Sequence, residues 1–217
     1  LAADGRRREG MGYPAFYCGA HLQQDRRPET RLLEEKEAKR SGRRLTVVQM
    51  LPELEGGGGE RGTLEVGRYL ASRGHRSIVV SGGGRLVSQL EREGSRHICW
   101  SVGSKTPLSL RFVLPLRRLL QKEKVDILHL RSRMSAWVGY LAWKSLPQCR
   151  RPILVTTFHG FYSVNAYSAI MTKGMGVIAV SESIKKHIRE RYGRQEGVTL
   201  IFRGVDMQQF AVEHVDP

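Results

Sequence analysis

From Leu45 onward, short β-rich apolar runs alternate with stretches of helical periodicity, and this alternation limits the fold more than any other feature of the chain. The runs cover 45–51, 77–80, 97–102, 125–130, 153–157, 177–180 and 198–202, each a strand candidate. Helical segments are expected between them at 61–72, 85–93, 108–122, 136–144, 165–172 and 182–192. The last is the best delimited. Ser181 is placed to cap its N-terminus, Ile184, Ile188 and Tyr192 fall on one face, and Gly193 stands where a helix-ending glycine belongs. Strands apolar on both faces, each followed by a helix, predict an α/β domain built on a Rossmann-like, doubly wound parallel sheet.

Residues 1–44 lack this periodicity. Arg6, Arg7 and Arg8 and a mixed acidic and basic stretch at 32–40 make this segment an expected disordered extension. The domain itself is expected over 45–205, with 206–217 starting a linker. Residues 1–44 hold 11 Lys/Arg against 7 Asp/Glu, leaving 25 against 14 for the rest, so most of the net charge of +15 belongs to the folded part. Such a surface attracts phosphate in any form: nucleic acid, a nucleotide-sugar or an anionic membrane leaflet. Cys18, Cys99 and Cys149 are odd in number and widely spaced, which points away from a disulfide framework or a zinc site. No apolar run reaches the roughly 18–20 residues that a spanning helix needs, and no signal-peptide pattern is visible. A cytoplasmic location is the expectation.

In an open parallel sheet, ligands bind where the strands end. Gly56-Gly57-Gly58-Gly59-Glu60-Arg61-Gly62 follows the first strand. Each glycine costs on the order of 0.5–1 kcal/mol relative to alanine, so a need for bare backbone is implied. A phosphate or sugar at amides of a helix N-terminus supplies that need; a flexible loop without ligand is the plain alternative. The run matches neither a Walker A loop nor the spaced dinucleotide fingerprint. Gly82-Gly83-Gly84-Arg85 follows the second strand and reads equally well as a tight turn. His159 ends the fifth strand as a candidate hydrogen-bond donor that need not act as a base. Arg131, Arg133, Arg203 and Lys105 also stand at strand ends, where cations can hold phosphate or carboxylate. The other histidines, His129 among them, have no metal-ligand spacing and read as structural or solvated.

Taken in order, Gly-Gly-Gly-Glu-Arg after the first strand, Thr-Thr-Phe-His-Gly at the fifth, Val-Ile-Ala-Val-Ser-Glu-Ser-Ile at the sixth and Arg-Gly-Val-Asp-x-x-x-Phe after the seventh resemble family 4 of the retaining glycosyltransferases. The resemblance runs from about Leu45 to Phe210. It implies the N-terminal, acceptor-side half of a GT-B fold, in which two Rossmann-like domains face each other across a cleft. It further implies retaining sugar transfer from a nucleotide-sugar, with no cofactor and no metal, to a glycan or lipid-linked acceptor such as lipopolysaccharide. On this resemblance Gly57, Gly58, Gly59 and Glu60 stand at the reaction centre beside the donor diphosphate and the acceptor. His159 stands beside the transferred sugar, with His159 and Glu60 the catalytic candidates. Ser181 and Glu182 match a helix cap on the cleft wall, and Arg203 and Gly204 match the turn leading to the second domain. Arg61 and Arg131 complete the expected donor- and acceptor-binding set. The second domain, with most of the donor-binding groups, is expected beyond Pro217, so the 217 residues are expected to form an incomplete enzyme.

Two other readings stay open at this point. One is a non-catalytic phosphate- or nucleic-acid-binding Rossmann module, although no RNA-binding signature or aromatic interleaving accompanies the cations, so no nucleic-acid partner is expected. The other is a sugar-nucleotide epimerase, which can share the two-domain architecture. An anionic membrane surface is a further expected partner.

Overall fold

The computed structural model describes residues 43–104 and 107–204. The expected extension up to residue 42, Lys105 and the expected linker lie outside them. The chain runs β1 (Thr46–Met50), α1 (Gly58–Ser72), β2 (Arg76–Ser81), α2 (Val87–Arg92) and β3 (Arg96–Cys99). A 3-10 turn (Pro107–Phe112) leads into α3 (Val113–Lys122), β4 (Ile127–Leu130), α4 (Arg133–Lys144) and β5 (Ile153–Phe158). The rest comprises α5 (Ala166–Ala169), β6 (Gly176–Ala179), α6 (Glu182–Tyr192) and β7 (Val198–Leu200).

All seven strands lie in one sheet of order β3-β2-β1-β4-β5-β6-β7, and every neighbouring pair is parallel. The expected doubly wound α/β architecture is therefore present. Direction reverses between β1 and β4: the chain first builds outward to β3, then returns to pair β4 with β1, Gln49 opposite His129 and Met50 opposite Leu130. Such a switch point opens a crevice at the strands' C-terminal ends.

Alternation along the strands sorts the core. Val48 and Met50 of β1, with Ile78 and Val80 of β2, pack with Leu116 and Leu120 of α3 and Val138 and Ala142 of α4. Val79, between Ile78 and Val80 in β2, packs on the other face with Leu64 of α1 and Leu90 of α2. Gln49 is fully buried on that second face, its Nε2 donating to the Thr63 carbonyl in α1 at 3.1 Å.

Several boundaries shift from expectation for local reasons. Helix α1 begins at Gly58 rather than 61, so half of the glycine run is helical. Strand β4 begins at Ile127 rather than 125, because Asp126 turns its carboxylate onto the Thr46 amide at 2.8 Å. Strand β3 stops at Cys99 rather than 102, where the Val102 amide turns back to the Trp100 carbonyl at 2.7 Å. The expected helix at 108–122 is divided by the 3-10 turn that ends at Phe112. Helix α6 has the expected limits: Ser181 Oγ accepts from the Ile184 amide at 3.2 Å, and Gly193 ends it in the left-handed region at φ 66°.

Candidate ligand-binding site

The crevice between β1 and β4 is roofed by the start of α1. Gly57 is the N-cap residue, and the Glu60 carboxylate folds back to accept from the amides of Gly56 and Gly57, the latter at 2.9 Å. Because glycine has no side chain, this capping runs one way only. The missing side chains are used by other groups. Arg203's guanidinium occupies the space a Cβ on Gly58 would need, and Arg85's lies against Gly56 while its Nε donates to the Glu55 carbonyl. On Gly59 a Cβ would stand 3.6 Å from Cδ2 and Nε2 of His159, and on Gly62 it would stand 3.0 Å from Nη2 of Arg131.

Beneath this roof lies a polar layer on the α1 face of the sheet. Residues two apart on a strand share a face, so Arg131 follows His129 in β4 and His159 follows Thr157 in β5. Arg131 Nη1 donates to Gln49 Oε1 at 2.9 Å, and the ring of His129 meets Thr157 Oγ1 at 2.7 Å. Arg203, from beyond β7, donates from Nη2 to Nδ1 of His159 at 2.7 Å. The Nε atom of Arg131 and Nε2 of His159 are buried with no hydrogen-bond partner.

The charges follow from this crowding. Burial first, and then the Arg131 and Arg203 guanidinium charges, push His159 down to about 3, so its ring is neutral at physiological pH. Burial, Arg131 and His159 hold His129 well below the usual range. Burial and the like charge of Arg203 lower Arg131 to about 10, which leaves it a cation at neutral pH. Fixed positive charge, free donors and the positive end of a 15-residue helix meet at one crevice. Chemically, that arrangement suits an anion such as phosphate and sets a neutral imidazole beside it.

The expected site residues separate into two groups. Gly57, Gly58, Gly59, Glu60, Arg131, His159 and Arg203 come together. Arg61 is exposed one step along α1, and Ser181 and Glu182 stand at the end of β6, where Ser181 caps α6 and Glu182 faces solvent. Arg133 stacks over Tyr162 at 4.9 Å and Tyr167 at 5.5 Å and donates to Ser168, which makes it part of the packing under α5. Gly82–Gly84 form the tight turn: the Gly82 amide donates to Pro52 at 2.7 Å, and the Leu54 amide donates to Gly83 at 2.7 Å. Sequence reasoning missed Gln49, and it missed the buried layer in which His129 lies beside Arg131. The two-residue spacing of His129 with Arg131, repeated by Thr157 with His159, was the available signal. Among the described residues no group of three His, Cys, Asp or Glu is placed to hold a metal ion.

Residues 56–209 match the sequence model of Glycosyltransferase Family 4. The chain belongs to that family. A glycosyltransferase from Rickettsia africae has a similar structure, with 38% identity and a TM-score of 0.68 over 80% of this chain and 47% of its own. Anabaena HepE, solved with UDP and glucose, aligns at 16% identity and TM-score 0.62, covering 76% of this chain and 46% of its own. The lipopolysaccharide outer core galactosyltransferase WaaB aligns at 13% and 0.57, covering 75% and 47%. The last two likenesses concern the fold alone. The chain spans about half the length of each of these structures. No curated protein matches the sequence. The fold is that of the GT-B glycosyltransferases, and the motifs that carried the resemblance lie within or beside the matched segment.

Proposed function

We propose that this chain is the acceptor-side half of a retaining glycosyltransferase, which transfers a sugar from a nucleotide-sugar to a lipid-linked or envelope polysaccharide acceptor such as lipopolysaccharide. The observation that carries the reading is the convergence at the switch point of Arg203 on Gly58, His159 on Gly59 and Arg131 on Gly62 along the start of one helix. Leaving diphosphate accumulates negative charge as the sugar departs, and fixed cations and helix amides lower that barrier without reorganising. Arg131 and Arg203 supply the charge, and Gly57, Gly58 and Gly59 let phosphate and sugar oxygens approach the chain closely. His159, held neutral, donates a hydrogen bond to the transferred sugar and takes no proton from it. Glu60 sets the loop that faces the reaction centre, with Arg61 at its edge, while Ser181 and Glu182 form the far wall. The UDP and glucose held by HepE and the galactosyl transfer named for WaaB agree with a nucleotide-sugar donor.

The acceptor side is supported by an open groove of about 580 Å³ that begins two residues past His159, at Phe161, and follows α6 to Arg191. Work at the cytoplasmic face of an anionic membrane fits a second surface. Leu108, Leu110 and Leu114 are 63%, 42% and 59% exposed, and the exposed Arg111 and Arg118 lie on the same segment. Among the described residues no helix is long and apolar enough to cross a membrane.

The deciding experiment measures binding of UDP, GDP and ADP, and of random oligonucleotides, to the chain and to a longer parent form, followed by product analysis with nucleotide-sugars and lipid-linked acceptors. Nucleotide diphosphate binding and acceptor-dependent glycosylation are expected. Tighter, steeply salt-dependent binding of oligonucleotides would sink the reading in favour of a nucleic-acid module, and conversion of the nucleotide-sugar without acceptor would replace transfer by epimerisation.

A further inference from the structure

We propose that Arg203 is a positioning residue for His159: it fixes the imidazole tautomer that carries the proton on Nε2, and that proton serves an acceptor oxygen of the ligand entering beside Gly59. Only the ligand's identity rests on the function proposed above. The tautomer follows from the bond itself. A guanidinium has donors and no acceptor, so the contact at 2.7 Å requires a lone pair on Nδ1. A neutral ring with Nδ1 unprotonated must hold its proton on Nε2, and burial beside Arg131 and Arg203 keeps the ring neutral.

That Nε2–H is buried and has no partner. No other described histidine has a buried ring nitrogen without a hydrogen-bond partner. His75 accepts from the Leu45 amide, His97 meets Ser81 at 2.8 Å, His129 meets Thr157 at 2.7 Å, and His187 meets the Tyr162 carbonyl at 3.1 Å. A buried unmade donor is unfavourable, and one at a ligand crevice is a candidate for a partner outside the fold. The ring edge that carries it faces Gly59, where a side chain would stand 3.6 Å away. Glycine at this position leaves room in front of the donor. Arg203 comes from the segment leaving β7, 44 residues from His159, so the orientation of the site histidine depends on where that segment lies.

The test is nitrogen-15 NMR of the imidazole rings in the 217-residue chain, with pyrophosphate and UDP as probes. His159 is expected to show an unprotonated Nδ1 and a protonated Nε2 from pH 8 down to pH 5, and its Nε2–H resonance is expected to shift on adding pyrophosphate. Arg203→Met is expected to give a mixture of tautomers and about tenfold weaker pyrophosphate binding, while Arg203→Lys, which keeps a donor, retains the tautomer. A wild-type ring protonated on Nδ1, or an Arg203→Met ring unchanged from wild type, overturns the positioning role. Gly59→Ala tests the second half. Its new Cβ makes only ordinary contact with the ring, and alanine favours a helix over glycine, so the melting temperature should hold or rise while pyrophosphate binding weakens. Undiminished binding of both pyrophosphate and UDP-glucose by Gly59→Ala shows that the Nε2 proton is not used. Because the tautomer is read without any ligand, a chain with the expected ring and no affinity for UDP or pyrophosphate refutes the ligand and leaves the Arg203 bond standing.

Discussion

The backbone amide of Gly57 donates to Oε2 of Glu60 at 2.9 Å, so the glycine loop is closed by a carboxylate from the helix it introduces. Glu60 thereby occupies amides that an incoming phosphate also seeks. Glu60→Ala removes this internal anion from a helix N-terminus. The fold should lose about 0.5–1 kcal/mol, and pyrophosphate should bind several-fold more tightly because the amides are free and a repelling charge is gone. Thermal melts and calorimetric titration check both effects. Weaker binding by the variant would mean that Glu60 itself touches the ligand.

Arg131 is 8% exposed and lies within the field of a second guanidinium, that of Arg203. A buried cation bonded to a neutral amide rather than to a carboxylate is a stability liability and an asset for anion binding. In Arg131→Met the fold loses that charge but leaves Gln49 Oε1 without its donor, so the net change in stability should be small. Phosphate-ligand affinity should fall at least tenfold, with a shallower dependence on salt. Unchanged affinity at low salt would remove Arg131 from the site.

The second glycine cluster is a structural turn. Gly84 has φ 134°, and a Cβ there would meet the carbonyl group of Leu54 at 2.5 Å, a backbone contact that cannot swing aside. Gly84→Ala should therefore cost more than about 2 kcal/mol, read from urea unfolding. A variant as stable as wild type would show that the turn tolerates a side chain.

Acid should loosen this fold earlier than its surface carboxylates alone require. His159, His129 and His97 all titrate below 6.5 when folded, chiefly because burial disfavours the charged ring. Below pH 6.5 the unfolded chain then binds protons that the folded one does not, so stability is full above that pH and falls as pH is lowered toward about 3, where His159 itself charges. Each such histidine contributes at most about 1.4 kcal/mol per pH unit. Melting temperatures between pH 8 and 4.5 should decline with acidification, and His159→Gln should flatten the decline. A flat wild-type curve would contradict the buried neutral rings.

Much of this protein is readable without coordinates, because the readable parts are local. Seven apolar runs became seven strands, and α6 extends from the Ser181 cap to Gly193, since a capping hydroxyl and a left-handed glycine act within one turn of the backbone. The glycine run, His159 and the arginines at strand ends were recognisable by chemical type and by the rule that ligands gather at strand ends. The family motifs, being ordered along the chain, were recognisable too.

What the sequence could not order is space. Whether Gly82–Gly84 or Gly57–Gly59 roofs the site depends on which strands adjoin, and parallel neighbours are joined only through packed crossovers, whose preference is not written in any single segment. Once β1 lies against β4, Gln49 reaches Arg131 across 82 residues of chain and Arg131 lies under Gly62. The glycine run expected to precede a helix at 61 leaves a loop of two, Gly56 and Gly57, closed by Glu60 at a helix that begins at Gly58. The tautomer of His159 is equally a product of the fold. An imidazole in isolation populates both neutral forms, and the choice between them is made by a guanidinium that the sheet brings back from the far side of β7.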